Sequence, residues 1–143
     1  MNGTTISVER RFDIDRPTMW TLWTDPDHVG QWFRPSLDQF GPTIAHVDAR
    51  VGGSFRIEMT GRDGTVHATA GEFVELVEHE RLVCTWRWDG SDDESMVTVT
   101  FSDDAPGTTV RIAHSALASQ ESADQHLQGW IGCLDSLARR FAR

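Results

Sequence analysis

Near the start of the chain, Ile6, Val8, Phe12 and Ile14 fall at even spacing between polar positions, the two-residue period of a strand with one buried face. The period then changes. Asp15 and Pro17 supply a helix start, and Met19, Trp20, Leu22 and Trp23 give an apolar face to a short helix ending near Thr24. Asp25-Pro26 breaks it, and residues 27 to 33 form a second short helix that Pro35 prevents from continuing. From there to residue 115 turn signals recur at short intervals: Gly52-Gly53, Arg62-Asp63-Gly64, His79-Glu80, Asp89-Gly90 and Pro106-Gly107. Between these marks fit six strands in antiparallel hairpins. Phe55, Ile57 and Met59 alternate with Arg56 and Glu58, and Leu82, Cys84, Trp86 and Trp88 with Val83, Thr85 and Arg87; Val97, Val99 and Phe101, then Val110, Ile112 and His114, continue the pattern.

An antiparallel sheet with one apolar face needs a cover, and the last segment supplies one. Ala123, Leu127, Trp130, Leu134, Leu137 and Phe141 are three or four apart, an apolar stripe roughly 100° wide on a helix of about five turns. Ser122 and Gln125 read as a capping box, with Asp124 favouring the same end. The expected fold is α+β: a curved antiparallel sheet of about seven strands, two short helices after strand one and a long C-terminal helix, in a single domain over residues 1–143.

Composition narrows the partners. With 38% hydrophobic and 24% charged residues the chain has enough apolar surface to bury a core. Its apolar runs, such as Leu82-Val83-Cys84, fall far short of the roughly 20 residues a membrane helix needs. The start, Met1-Asn2-Gly3-Thr4-Thr5, lacks the basic and apolar parts of a signal peptide, so the expected location is the cytoplasm. A net charge of -9 repels nucleic-acid backbones and anionic membrane surfaces and argues against both as partners. Arg139, Arg140 and Arg143 resemble a basic patch but read as complements to a helix C-terminus. Cys84 and Cys133, with no CxxC spacing, read as buried free thiols.

The order strand, two short helices, six strands and long helix resembles the SRPBCC or START-like superfamily, whose helix-grip fold wraps a sheet around the final helix and often leaves a cavity between them. Within it the chain is similar to the C-terminal domain of the activator of heat-shock-protein-90 ATPase. The similarity is carried by Glu9-Arg10-Arg11-Phe12, Met19-Trp20 leading into Thr24-Asp25-Pro26 and Trp32, and Asp48-Ala49-Arg50-Val51-Gly52-Gly53-Ser54-Phe55. Gly71 with Glu75-Leu76, Arg81 through Trp86, Thr108 through His114 and His126-Leu127-Gln128-Gly129-Trp130 extend it over nearly the whole chain. The resemblance implies the fold and leaves the activity open, because such folds host ligand carriers, cyclases, hydrolases and chaperone partners. Eukaryotic activators carry an additional N-terminal domain for which this sequence is expected to have no room, so the activator's function is not carried over.

Six tryptophans without a tyrosine place large apolar surface with sparse donors. Trp20, Trp32, Trp86, Trp88 and Trp130 are expected to face the interior, either filling the core or lining a cavity. Gly129 and Gly132 flank Trp130 at a helix-propensity cost of about 1 kcal/mol each, which close approach of helix to sheet, or room for a bound molecule, would offset. Arg10 is in phase with Val8 and Phe12, so a buried guanidinium needing an anionic partner is expected. That partner is either an internal carboxylate, such as Glu75 in phase with Gly71 and Phe73, or a ligand. His114 is expected near the cavity mouth. Among Glu58, Glu72, Glu75, His67 and Arg111, alternation puts Glu58 and Arg111 on the solvated face.

Nothing nominates a catalytic residue. His46 with Asp48 and His67 are assigned to neighbouring strands, without a feature that brings them together, and no HxH, HExxH or cysteine cluster marks a metal site. Neither GxSxG nor a phosphate-cradling loop occurs, Gly52-Gly53 being a hairpin turn. The leading expectation is a cytoplasmic binding protein for a small hydrophobic molecule, with no cofactor. Phe55, Met59, Phe73, Trp86, Trp88 and Trp130 would form apolar walls, and Arg10 and His114 would be the orienting polar groups. The alternatives are an interaction module or heat-shock-protein-90 partner using the sheet edge or acidic surface, and a cavity-based enzyme of cyclase or hydrolase type. A homodimer is compatible with each.

Overall fold

The computed structural model describes residues 4–35 and 40–141. Strand β1 (Thr4–Phe12) leads into α1 (Arg16–Thr24) and α2 (Pro26–Trp32). β2 (Phe40–Val47), β3 (Ser54–Gly61), β4 (Val66–Val77), β5 (Arg81–Trp88), β6 (Ser95–Asp104) and β7 (Gly107–Leu117) then follow as one meander, and α3 (Gln120–Phe141) lies after them. The seven strands form a single sheet in the order β1-β7-β6-β5-β4-β3-β2, antiparallel at every pairing. This is the expected α+β helix-grip arrangement, and the expected turns sit between its strands.

Capping residues set the helix bounds. The Asp15 side chain accepts from the Thr18 N–H at 2.9 Å, and Pro17 occupies the first turn of α1. Asp25 ends α1 and caps α2 by accepting from the Asp27 N–H at 2.9 Å. Replacing Asp15 by alanine should cost about 1 kcal/mol in urea unfolding, and Asp15→Asn, which keeps an acceptor, less than half as much. α3 begins before the expected capping box. Ser119, not Ser122, is its cap: the Ser119 hydroxyl accepts from the Ser122 N–H at 3.0 Å and its carbonyl from the Ala123 N–H at 2.9 Å. The helix therefore runs for 22 residues, about six turns. Arg139 and Arg140 lie in its last turn, and Arg143 lies outside the described residues.

The core is where α3 and the short helices meet the inner face of the sheet. Ala123, Trp130, Leu134 and Leu137 of α3 are buried with Met19, Leu22 and Trp23 of α1 and Val29 and Trp32 of α2, against Phe12, Val97, Val99, Phe101, Val110 and Ile112. Trp20 and Trp88, expected inside, are half-buried, and Trp23 takes the inward place on α1. The spacing of Met19, Leu22 and Trp23 explains this, since positions three and four apart share a face and Trp20 falls on its flank. Both cysteines are free and buried; burial pushes the Cys84 thiol up to about 12 and the Cys133 thiol upward as well, so neither is a nucleophile near neutrality. Among the described residues no helix is long and apolar enough to cross a membrane.

Two expectations about buried charge are corrected. Between Phe73 and Glu75 the β4–β5 register slips, Phe73 facing Cys84 and Glu75 facing Val83. The extra residue, Val74, makes a bulge that reverses the alternation and turns Glu75 to the outer face. There it accepts from Arg81 Nε at 2.6 Å. Arg10 stands opposite Val110 on the inner face, but β1 is an edge strand and the guanidinium is exposed. It lies 3.4 Å from Asp135 of α3 and over the Phe12 ring. A surface pair of this kind adds little to stability, and it neither faces a cavity nor meets Glu75. Glu58 and Arg111 do lie outside the core, as alternation required.

Candidate functional site

α3 packs against β1, β7 and α2, which leaves space between its N-terminal half and strands β3 to β5. A pocket of about 390 Å³ occupies that space. Met59, Trp86 and Trp88 form its sheet side, Trp130 and His126 its helix side, and Phe33 and Pro35 of the segment after α2 its third wall. His67, Ser122, Gln125, Gly129 and Cys133 complete the lining. Four of the eight residues expected around a cavity are thus brought together here: Met59, Trp86, Trp88 and Trp130. Phe55 and Phe73 instead line a void of about 50 Å³ deeper in the core, which shares Phe33, Trp86 and Trp130 with the larger pocket. Arg10 and His114 line neither.

His114 is beneath the pocket and not at its mouth. It is 0% exposed, and both of its ring nitrogens are occupied. Trp130 Nε1 donates to Nδ1 at 3.0 Å, and Nε2 meets Ser95 Oγ at 2.7 Å. Because Nδ1 must accept, the ring is neutral with its proton on Nε2, which donates to Ser95, whose hydroxyl donates onward to the Trp86 carbonyl at 3.2 Å. The chain ties α3 to β7, β6 and β5. Burial, and then the charge of neighbouring His126, hold the imidazolium form off and push the pKa of His114 down to about 3. With no free nitrogen and no exposure, it offers no acid-base group to the pocket.

Two other histidines reach the pocket, His67 from β4 and His126 from α3, and the hydrogen bonds of His126 fix the helix side. The His126 Nδ1 lies 2.7 Å from the Ser122 carbonyl, to which it donates, and its Nε2 accepts from Trp88 Nε1 at 3.0 Å. This bond latches the first turns of α3 to the end of β5. The indole donors are therefore settled one by one: Trp32 Nε1 donates to the Leu22 carbonyl at 2.6 Å, Trp88 to His126 and Trp130 to His114. Trp23 Nε1 and Trp86 Nε1 are buried without a partner. The indoles also touch each other: Trp23 and Trp32 centroids are 4.7 Å apart, Trp23 and Trp130 6.3 Å, Trp86 and Trp130 5.2 Å, and Trp86 and Trp88 5.9 Å.

The helix glycines serve the third wall, not an approach to the sheet. A Cβ on Gly132 would collide with the Pro35 carbonyl oxygen, whereas one on Gly129 would meet only the Pro35 Cβ at an ordinary 3.7 Å. Phe33 is fixed from its other side: its N–H donates to the Val29 carbonyl and its carbonyl accepts from Thr43 Oγ1, each at 2.9 Å. The remaining histidines stay apart. His46 lies on β2 and His67 on β4, with β3 between them, which corrects their assignment to neighbouring strands. Among the described residues no three His, Cys, Asp or Glu side chains gather into a metal-binding group.

Sequence reasoning passed over His126, Phe33 and Ser95. Ser122, His126, Gly129 and Cys133 are themselves three or four apart on α3, a second stripe beside the apolar one. Its small and polar residues are invisible to a count of hydrophobic positions.

The chain matches the profile of the Activator of Hsp90 ATPase homolog 1-like protein family over residues 13–142. No curated protein matches it. Among solved structures, an AHSA1-like protein from Aeromonas hydrophila is 31% identical, with a TM-score of 0.81 over 95% of this chain and 90% of that one. Protein CV1439 from Chromobacterium violaceum is 25% identical, with a TM-score of 0.82 over 94% of each chain. DynU16, a protein of the dynemicin biosynthetic locus, shares the fold at 24% identity and a TM-score of 0.78, over 94% of this chain and 46% of its own.

Proposed function

From the premise that this chain belongs to the family of Activator of Hsp90 ATPase homolog 1-like proteins, we propose that it binds a small, flat and largely apolar molecule between α3 and strands β3 to β5. The observation that carries this reading is the apolar pocket of about 390 Å³, one of whose wall residues, Trp86, keeps a buried Nε1–H without a partner. The volume lies in the range of small-molecule sites, which are mostly apolar with a few placed polar groups. A buried donor left unpaired costs about 1–3 kcal/mol, and a ligand acceptor placed against Trp86 relieves that cost. The preferred ligand is then an aromatic or polycyclic molecule with one carbonyl, ether or phenolic oxygen.

Tryptophan fluorescence and thermal melting against a panel of such molecules test the proposal. A true ligand at a hundredfold excess over its Kd adds about 2.7 kcal/mol to native stability, a rise in Tm of roughly 5–10 °C. A hydrocarbon of the same shape should bind about tenfold more weakly than its oxygen-bearing counterpart. Gln125 is exposed at the rim, so Gln125→Trp should block entry and cut affinity at least about tenfold while stability stays within about 0.5 kcal/mol. A panel that neither quenches nor stabilises would mean that the space is only a packing defect.

A further inference from the structure

The segment after α2 has two sides. Phe33 and Pro35 line the apolar pocket, while Arg34 between them lines a second cleft of about 350 Å³ with Arg139 and Arg140 from the end of α3. Gly30, Gln31, Thr43 and Ser136 contribute the rest of its inner surface. At Gly30 a Cβ would come within 3.1 Å of the Thr43 carbonyl oxygen, so glycine lets α2 lie close against β2 at this floor.

Charge makes the cleft unusual. Acidic residues outnumber basic ones by 22 to 13, and every basic residue is an arginine. Arg10, Arg11, Arg16, Arg50, Arg56, Arg81, Arg87 and Arg139 all lie in ion pairs. Arg34 and Arg140, like Arg62 and Arg111 elsewhere on the surface, have no acidic partner among the described residues, although carboxylates are in excess. Arg34 Nε is moreover buried with no hydrogen-bond acceptor. Its backbone is held in place, since the Arg34 N–H faces the Cys133 sulfur and Pro35 is seated on Gly132. A buried guanidinium N–H without an acceptor carries the full desolvation cost of a charged group, and guanidinium groups pair with phosphate and carboxylate through parallel N–H···O bonds.

We propose that this cleft binds the oxyanion of a compact organic phosphate or polycarboxylate, with the half-buried Arg34 as the anchor and Arg140 and Arg139 closing over it. The site is separate from the apolar pocket, on the opposite side of the same segment. Complementing the carbonyl end of α3 accounts for Arg139 and Arg140 but leaves the orphaned Arg34 Nε unexplained.

The test is a titration of the whole protein with inorganic phosphate and, separately, with citrate, against sodium chloride at matched ionic strength. Arginine Nε–H signals are followed by 15N NMR. A saturable shift at Arg34 and Arg140 with either anion, absent with chloride, supports the site. A response to phosphate alone assigns a phosphate ester and one to citrate alone a carboxylate. Arg140→Gln, an exposed substitution, should weaken binding about tenfold, and Arg34→Gln at least as much. Shifts that equal those in chloride, fail to saturate, or persist unchanged in Arg140→Gln overturn the proposal. Tryptophan fluorescence reads the other pocket, so either site can fail alone.

Discussion

Alanine at position 132 should destabilise the domain by about 1–3 kcal/mol, while alanine at position 129, one turn earlier on the same helix, should stabilise it by up to about 1 kcal/mol. Helix propensity alone favours alanine over glycine at both places by about 1 kcal/mol. At Gly129 nothing opposes that gain, because the added methyl meets the Pro35 Cβ at 3.7 Å. At Gly132 the methyl would occupy the position of the Pro35 carbonyl oxygen, and backbone cannot yield as a flexible side chain does. The segment from Phe33 to Pro35 has to lift, at an overpacking cost that exceeds the propensity gain. Lifting it moves a wall of the apolar pocket and unseats Arg34 together. Urea unfolding of the two variants and wild type reads the sign directly. Equal effects at the two positions would show that Pro35 does not rest on Gly132.

Leucine in place of His114 should cost roughly 2–4 kcal/mol at pH 7 and should remove a component of acid sensitivity. The buried Trp130 N–H loses its acceptor and Ser95 its donor, each a desolvation cost of about 1–3 kcal/mol, of which the apolar replacement recovers part. The pH dependence follows from the lowered pKa. His114 titrates near 6.5 when unfolded and is pushed down to about 3 in the folded chain by burial and by His126. Between those values the unfolded state takes up a proton that the folded state refuses. The contribution of His114 is therefore complete above pH 6.5 and falls as the pH drops, by up to about 1.4 kcal/mol per unit. Urea unfolding at pH 7, 5.5 and 4.5 should show the gap between wild type and His114→Leu narrowing with acidification. A constant gap would mean that the imidazole takes up its proton without unfolding.

The fold was legible because its signals are periodic. The alternation at Phe55, Ile57 and Met59 and the three-and-four spacing from Ala123 to Phe141 each follow from one side of an element being dry. What escaped is local and aperiodic. A bulge at Val74 has no compositional mark, yet it reverses the direction of every residue beyond it and made Glu75 look buried. Arg10 has an inward phase, but whether such a position is covered depends on the strand being at the edge, which periodicity cannot report. Ser122 carries the capping-box pattern with Gln125, yet the helix starts three residues earlier, with Ser119 as its cap. His114 was read as a pocket residue because a strand pattern gives a side chain's direction but not the depth at which its neighbours close over it.

The contacts that run from Trp32 through Trp23, Trp130 and Trp86 to Trp88 also join five chromophores at van der Waals range. Light absorbed by any of them can pass to its neighbours faster than it is emitted, so the five behave as one antenna and not as separate reporters. A quencher that touches only Trp88 at the pocket rim would then darken emission excited at Trp32, in the depths of the core.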